Sequence, residues 1–511
     1  MSTSGRSLPV VLALLSVAAA GAHGSFEPAA QADTAGARPA EHGQRVRRLL
    51  LRNAVVIYGN AKPAFGPVDI LVEDGLIARI GPAAGQSAVD AVIDASGKYV
   101  MPGMVNTHMH WQEQRAGIPQ PIQYERNLYL ASGVTTTREL GSEDFDKSKR
   151  WQAESAANSV PAPRMQVYWR VESRRTPEAM RAQIREAKQR GADGLKIFGM
   201  DRDLLEAVMD EARRQGLPTT AHIGVEEVTA RDFIELGVGS IEHFYGVADA
   251  ALDGIQDFPP EMNYSNEFHR FSRAGELYAQ ANPEKLRAVI DLMVESDVAW
   301  SPTLSIYEAA RDLVRARNVP WFADYLHPAT EAFFRPSRKN HGSFFFGWTN
   351  THEVHWKRQY RLWMDALREF GVKGGTITTG DDAAYIYSLY GFGMIRELEL
   401  HEEAGFHPLE VLRHATWNGA RLLGLDNRLG KVREGFVADL LVVNGNPLQD
   451  LRLLNPAGTE VVVEGEERRG GGVEWTIKDG VPYHGPTLMR EVRDMVAKAR
   501  AELARPTTAG Q

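Results

Sequence analysis

The sequence contains no cysteine. That excludes a disulfide framework, a thiolate nucleophile and a Cys-ligated zinc site, so any metal must be held by histidine, carboxylate or modified lysine. Long runs of one charge are missing too: 58 Lys and Arg against 66 Asp and Glu give a formal charge of -8 with no basic or acidic tract. Nucleic acid and an anionic membrane surface are therefore not the expected partners, and a small-molecule or peptide substrate fits better. Only one apolar run is long enough to notice, "LPVVLALLSVAAAGA" after Arg6, and it is followed by small residues at "AHG" and "AQA". It reads as a secretory signal peptide and leader within residues 1–32, too short to span a membrane comfortably, which implies a secreted or periplasmic protein with no membrane anchor in its mature form. Polar, Ala-rich residues 25–44 read as a disordered leader. What is plentiful is apolar side chain, 43% of 511 residues, enough for one large domain and a smaller one.

Residues 49–103 carry short β-rich runs ("LLLRNAVVIYG", "VDILVEDGLIARIG") broken by Gly, Pro and Asp-Gly turns, and read as a small antiparallel sheet. Residues 430–484 repeat that texture ("GKVREGFVADLLVVNGNPL", "VEWTIKDGVPYH"), which predicts one β-sandwich built from both segments. Residues 485–511 read as a charged helix and a loose tail. In between, over residues 104–429, short strands alternate with amphipathic runs such as "PEAMRAQIREAKQRG", whose apolar residues recur at three and four positions. Candidate strands begin near residues 103, 133, 164, 194, 218, 239, 298 and 376. The first five spacings are about 21 to 31 residues, close to the roughly 31 per unit of a (β/α)8 barrel. The α/β fold predicted is thus a TIM barrel with a small β-sandwich. The last two spacings, about 59 and 78 residues, predict aromatic-rich insertions after strands 6 and 7 that wall a pocket at the C-terminal face.

In "MPGMVNTHMH", His108 and His110 stand two apart on a predicted strand. Both project to one side, about 7 Å apart along the backbone, and can close on one cation. Such a pair is weak evidence alone. Ligand-type residues return at later strand ends, however: Lys196 in "GLKIFG", His222 in "TTAHIG", His243 in "SIEHFYG" and Asp381-Asp382 in "TTGDDA". A parallel barrel gathers those ends on one face. Lys196 is out of place in an apolar strand, because burial disfavours its charged form. A neutral amine can take up carbon dioxide, and the resulting carbamate has two oxygens with which to bridge two metals. "THEVH" is a decoy: His352 and His355 are separated by three positions rather than the four of the zinc-protease helix, and read as helix surface.

Together "MPGMVNTHMH", "GADGLKIF", "TTAHIG", "SIEHFYG", "TTGDDA" and "HPLEVLRHATWNGARLLGL" fall in an order that resembles the amidohydrolase superfamily, in its Xaa-Pro dipeptidase-like and imidazolonepropionase-like branch, over residues 49–484. The resemblance implies a metal-dependent hydrolase with two divalent ions, zinc being the ion expected. It assigns His108, His110 and the strand-8 aspartate to one metal, His222 and His243 to the other, and carboxylated Lys196 with a hydroxide to the bridge. Related sequences usually read Thr-Gly-Ser/Thr-Asp-Ala/Ser at strand 8, which makes Asp382 the ligand and Asp381 the variable neighbour. Asn106 replaces an Asp often seen two residues before the first ligand histidine, a departure that bears on groups behind the ligands only. The implied reaction is hydrolysis of a carbon-nitrogen amide bond in a dipeptide or N-acyl amino acid, with attack by the hydroxide and Asp382 as general acid and base. Tyr245 and Arg138 are candidate contacts to a substrate carbonyl or carboxylate. A cyclic-amide hydrolase of the imidazolonepropionase type, or an ester or lactone hydrolase, would use the same site. The former usually has one metal and no bridging lysine, so Lys196 argues against it. A non-enzymatic binding protein does not account for a complete ligand set. A homo-oligomer is compatible with the sequence.

Overall fold

The computed structural model describes residues 37–505 apart from 83–87, 143, 225–227, 254–259, 264 and 339. The expected signal peptide, most of the leader and residues 506–511 lie outside the described residues.

The chain opens with β1 (Arg48–Val56), β2 (Phe65–Glu73), β3 (Leu76–Ile80), β4 (Ala91–Asp94) and β5 (Tyr99–Pro102). It then enters a parallel sheet of β6 (Met104–Met109), β7 (Val134–Leu140), β8 (Arg164–Arg170), β9 (Gly194–Phe198), β10 (Thr219–His222), β11 (Ser240–Glu242) and β12 (Ala299–Ser301), each paired with the next. Residues 376–382 take the eighth position and close the ring by backbone hydrogen bonds. Trp300 N donates to Thr376 O, Thr378 N to Trp300 O, Thr107 N to Thr379 O and Asp382 N to His108 O, all at 2.9 Å. The expected (β/α)8 barrel is therefore the architecture the chain adopts.

After the barrel, β13 (Leu440–Val443), β14 (Val473–Lys478) and β15 (Val481–His484) extend the sheet begun by the first five strands, in the order β4-β1-β5-β13-β14-β15. Leu440 lies opposite Pro102 and Val443 opposite Tyr99, so both ends of the chain share one sheet. The sheet differs from the antiparallel one expected, because β1 runs parallel to both β4 and β5. The cause is a break in β1 at Asn53, whose φ is 59°: Leu49–Arg52 serve β4 and Val55–Val56 serve β5. The leader is also less featureless than expected. Arg38–Pro39 pair with Ala91 and Val92, which covers the unpaired edge of β4. Gly103 hands the chain from sheet to barrel, donating to Asp439 O at 2.8 Å. A Cβ there would lie 2.2 Å from Thr135 Oγ1, so only glycine fits.

Helices form where the periodicity placed them. In Pro177–Gln189, Thr176 accepts from Ala179 N at 3.2 Å, Pro177 opens the first turn, and Met180, Ile184 and Ala187 are buried at spacings of four and three. Burying a large apolar side chain of this kind stabilises by roughly 1.5–3 kcal/mol. The insertions divide into two roles. Asn350–Val372 is a packing helix with Trp356, Tyr360, Trp363 and Phe370 buried, Trp363 stacking on Phe244 at 5.5 Å. Its first turn absorbs the decoy, since His352 Nδ1 accepts from Thr349 N at 3.0 Å as a cap. Arg270 and His341, by contrast, come from insertion segments that wall the central cavity. Gly485–Ala504 forms the C-terminal helix and buries Leu488, Met489, Val492 and Val496. Among the described residues no helix is long and apolar enough to cross a membrane.

Candidate metal centre

The C-terminal ends of β6, β9, β10 and the closing segment surround a cavity of about 460 Å³. Nε2 of His108 and Nε2 of His110 lie 3.6 and 3.4 Å from Asp382 Oδ1. Nε2 of His243 lies 3.9 Å from Asp382 Oδ2 and 2.9 Å from His222 Nδ1. Donor atoms of His108, His110 and Asp382 all fall within 4.8 Å of one another, a grouping able to hold a metal ion. Lys196 and His222 line the same cavity. The residues expected as ligands from five strands thus converge on one place.

The backbone delivers these groups against its own steric preference. His243 (φ 64°), Thr303 (φ 49°) and Asp382 (φ 43°) are all in the left-handed region. Non-glycine residues held there cost on the order of 1–3 kcal/mol each, and such strain clusters at functional sites. At His243 the consequence is visible. Strand alternation would send Glu242 and His243 to opposite faces, but the left-handed turn lets both reach the barrel interior.

Burial sets the protonation states. It pushes the His110 imidazolium down to about 4 and those of His222 and His243 well below the usual histidine range, so neutral rings offer lone pairs at neutral pH. His108 Nδ1 lies 2.7 Å from Glu242 Oε2; with the carboxylate accepting, that nitrogen carries the proton and Nε2 keeps its lone pair toward Asp382. Burial alone would raise the Glu242 carboxyl, but Arg138 and His108 hold it well below the usual carboxylate range. Burial also works to raise Asp382, and His108, His110 and His243 together hold it well below that range.

Arg138 does not take the expected place at the substrate. It is fully buried, and there Nη2 donates to Glu242 Oε1 at 2.6 Å, Nη1 to Ser240 Oγ at 3.1 Å and Nε to Thr107 O at 2.5 Å. Thr220 Oγ1 donates to the same Glu242 oxygen. A charge this deep needs such partners, and the pair with Glu242 consumes it. Tyr245 packs its ring against His222 and His243, with centroids 6.1 and 6.2 Å apart, and shares a hydrogen bond with Tyr307.

The aspartate doublet divides cleanly. Asp381 Oδ1 accepts from Asn106 Nδ2 at 2.7 Å and Tyr129 Oη at 3.1 Å, and Oδ2 accepts from Gly391 N at 3.2 Å, away from the histidines. Burial pushes this carboxyl up to about 7. Asn106 is thereby explained: an aspartate there would set a second carboxylate against Asp381, whereas the amide donates to it and accepts from His108 N at 3.1 Å.

The donor set fits divalent cations. Among the described residues, Lys196 Nζ and Asp382 Oδ1 are buried without hydrogen-bond partners, a costly state for polar atoms unless something else binds them. Burial lowers the Lys196 ammonium to about 8, which leaves a sizeable neutral fraction near pH 8. Sequence reasoning missed Glu242 and Thr303. Glu242 could have been found by the argument applied to Lys196, a charged residue in an apolar strand; Thr303 left no local signal. Also missed were Arg170, Arg270 and His341, which line the cavity together with Asp382.

Comparisons with known proteins bear on the fold and the family. A solved Xaa-Pro dipeptidase with bound methionine in its active site superposes with a TM-score of 0.59 at 18% identity, over 86% of this chain and 100% of that one. A 5-methylthioadenosine/S-adenosylhomocysteine deaminase of Pyrococcus furiosus is 22% identical over 459 residues, 84% of this chain and 94% of that protein. A dihydroorotase of Trichlorobacter lovleyi is 36% identical over 69 residues, so the chain spans only 16% of that relative. The model of the amidohydrolase family matches residues 99–468, which is well over half of the sequence, and the chain belongs to that family.

Proposed function

We propose that this amidohydrolase uses two divalent metal ions to cleave the amide bond of a dipeptide or N-acyl amino acid, and that the apolar N-terminal run directs it to a secreted or periplasmic setting. The observation that carries the two-metal reading is Lys196, whose buried amine has no hydrogen-bond partner among the described residues and is readily deprotonated despite the nearby charges of Glu242 and Asp382. Joined to carbon dioxide with loss of a proton, that nitrogen gives an anionic carbamate with two ligand oxygens. His108, His110 and Asp382 would hold one ion and His222 with His243 the other, a nitrogen and oxygen set that suits zinc. Ions bound there supply Lewis acidity and lower the pKa of water toward neutrality.

The chain's own groups do the rest. Asp382, kept ionised by the imidazoles around it, accepts a proton from the attacking water and returns it to the leaving nitrogen. Arg170 and Arg270 give the cavity a cationic wall, which suits a substrate with a free carboxylate. A cavity of about 460 Å³ is in the range of small-ligand sites. Tyr245, whose ring packs against His222 and His243, is our candidate for a contact to a substrate carbonyl. Fold likeness to a dipeptidase supports the peptide reading. The test is a panel of dipeptides, N-acyl amino acids, cyclic amides and lactones, assayed before and after chelation. Hydrolysis of the first two classes, lost on chelation and restored by Zn2+, is expected; turnover confined to cyclic amides or lactones would replace this reading by those alternatives.

A further inference from the structure

Building on the two-metal reading, we propose that Thr303 and Glu397 are positioning residues that fix the place and tautomer of His243. Thr303 stands where helix Leu304–Arg311 needs an N-cap, a place where threonine normally caps with its own hydroxyl. Here no helix amide reaches that hydroxyl. Thr303 Oγ1 instead donates to Pro302 O at 2.7 Å and lies 2.5 Å from His243 Nδ1. An oxygen whose only proton is committed to a carbonyl can offer the imidazole nothing but a lone pair. His243 therefore carries its proton on Nδ1, and Nε2 is left bare toward His222 and Asp382.

The helix amides that Thr303 abandons are taken by a residue more than ninety positions away. Leu304 N donates to Glu397 Oε1 at 3.0 Å and Ser305 N to Glu397 Oε2 at 2.7 Å. Glu397 is fully buried on helix Phe392–Glu403 and is itself held by His401, whose Nε2 lies 3.2 Å from Oε1. The carboxylate fork thus replaces the missing cap. It frees the Thr303 hydroxyl and holds this β-branched residue at φ 49° and ψ 48°, a conformation it disfavours by itself. Neither residue lines the cavity, and the direct link from this pair to the site is the contact of Thr303 with His243.

The test is the Zn2+ affinity of purified full-length protein, measured by competition with a chromophoric chelator, for wild type, Thr303→Val, Thr303→Ser, Glu397→Gln and the Thr303→Val/Glu397→Gln double variant. Urea unfolding of each metal-free protein runs beside it. Groups that orient a metal-ligating histidine typically carry 10–100-fold in metal affinity. Thr303→Val is expected to hold its weaker Zn2+ about 10–100-fold more loosely, Thr303→Ser to recover most of that, and Glu397→Gln to shift in the same direction. The double variant should be no worse than Thr303→Val, because both changes act through one hydrogen bond. Unchanged Zn2+ affinity in a folded Thr303→Val or Glu397→Gln protein would overturn the proposal, as would losses that add in full. Should Glu397→Gln fail to fold, the contrast of Thr303→Val with Thr303→Ser decides. A wild-type protein that binds no Zn2+ would refute the two-metal reading instead, which is a separate outcome.

Discussion

Replacing Arg138 by methionine removes a buried cation while keeping much of its length. In the wild-type protein Arg138 and Glu242 have side chains 1% and 0% exposed and meet at 2.6 Å. Arg138→Met leaves Glu242 buried with only Thr220 and His108 as partners. Breaking a buried pair by removing one member costs about 3–5 kcal/mol, a factor of roughly a hundred to a few thousand in the folding equilibrium. Two outcomes offset part of that cost, and both have readouts. Glu242 can take up a proton, which makes the variant's stability fall more steeply as pH rises. Its bond to His108 Nδ1 then changes character, which loosens the metal grouping of His108, His110 and Asp382. Urea unfolding under reversible conditions, followed by metal analysis, should show both losses. Adding Glu242→Gln should restore much of the stability, since the stranded charge is gone. A variant with wild-type stability and metal content but a raised KM would refute this reasoning and return Arg138 to the substrate.

The other predictions concern neighbouring groups. Asp382→Asn should abolish turnover with the protein still folded, whereas Asp381→Asn should only weaken it through the contacts of Asn106 and Tyr129; steady-state kinetics of the two decide, and the reverse ranking would move the proton-transfer role to Asp381. Glu125 is fully buried, and burial, opposed by Arg115 and Gln120, pushes its carboxyl up to about 8. A folded-state pKa above the unfolded one means stability that is present below about pH 4.5 and lost as pH rises through about 8. Glu125→Gln should therefore flatten unfolding free energy against pH over that window by an amount on the order of a few kcal/mol; an unaltered slope would show that Glu125 is ionised in the folded protein.

Much of the site was legible because the proposed ligands sit at strand ends, where chain order and barrel closure fix the geometry. His108, His110, His222 and His243 stood out as ligand-type residues that return at strand ends, and Lys196 as a charge in an apolar strand. The supporting groups were not legible for two physical reasons. Glu242, like Lys196, is a charged residue in an apolar strand, but alternation places it on the face opposite His243 unless the backbone turns left-handed, so its support of the site was hidden. Glu397 reaches Leu304 and Ser305 only after two helices pack, so its partner is set by tertiary structure. Arg138 was misread because strand position shows that a residue is near the barrel mouth but not whether its head points up to substrate or down to another charge. The mixed pairing of the outer sheet was hidden likewise, since one left-handed residue, Asn53, redirects half of β1.

Lys196, as a ligand shared by two ions, is the residue on which the proposed function most depends. Its direct test is the metal content of purified wild-type and Lys196→Ala protein, read beside turnover of the best dipeptide or N-acyl amino acid. The expected result is about two divalent ions per wild-type chain, with metal and activity lost together in Lys196→Ala. A Lys196→Ala protein that keeps full metal and full activity would contradict it.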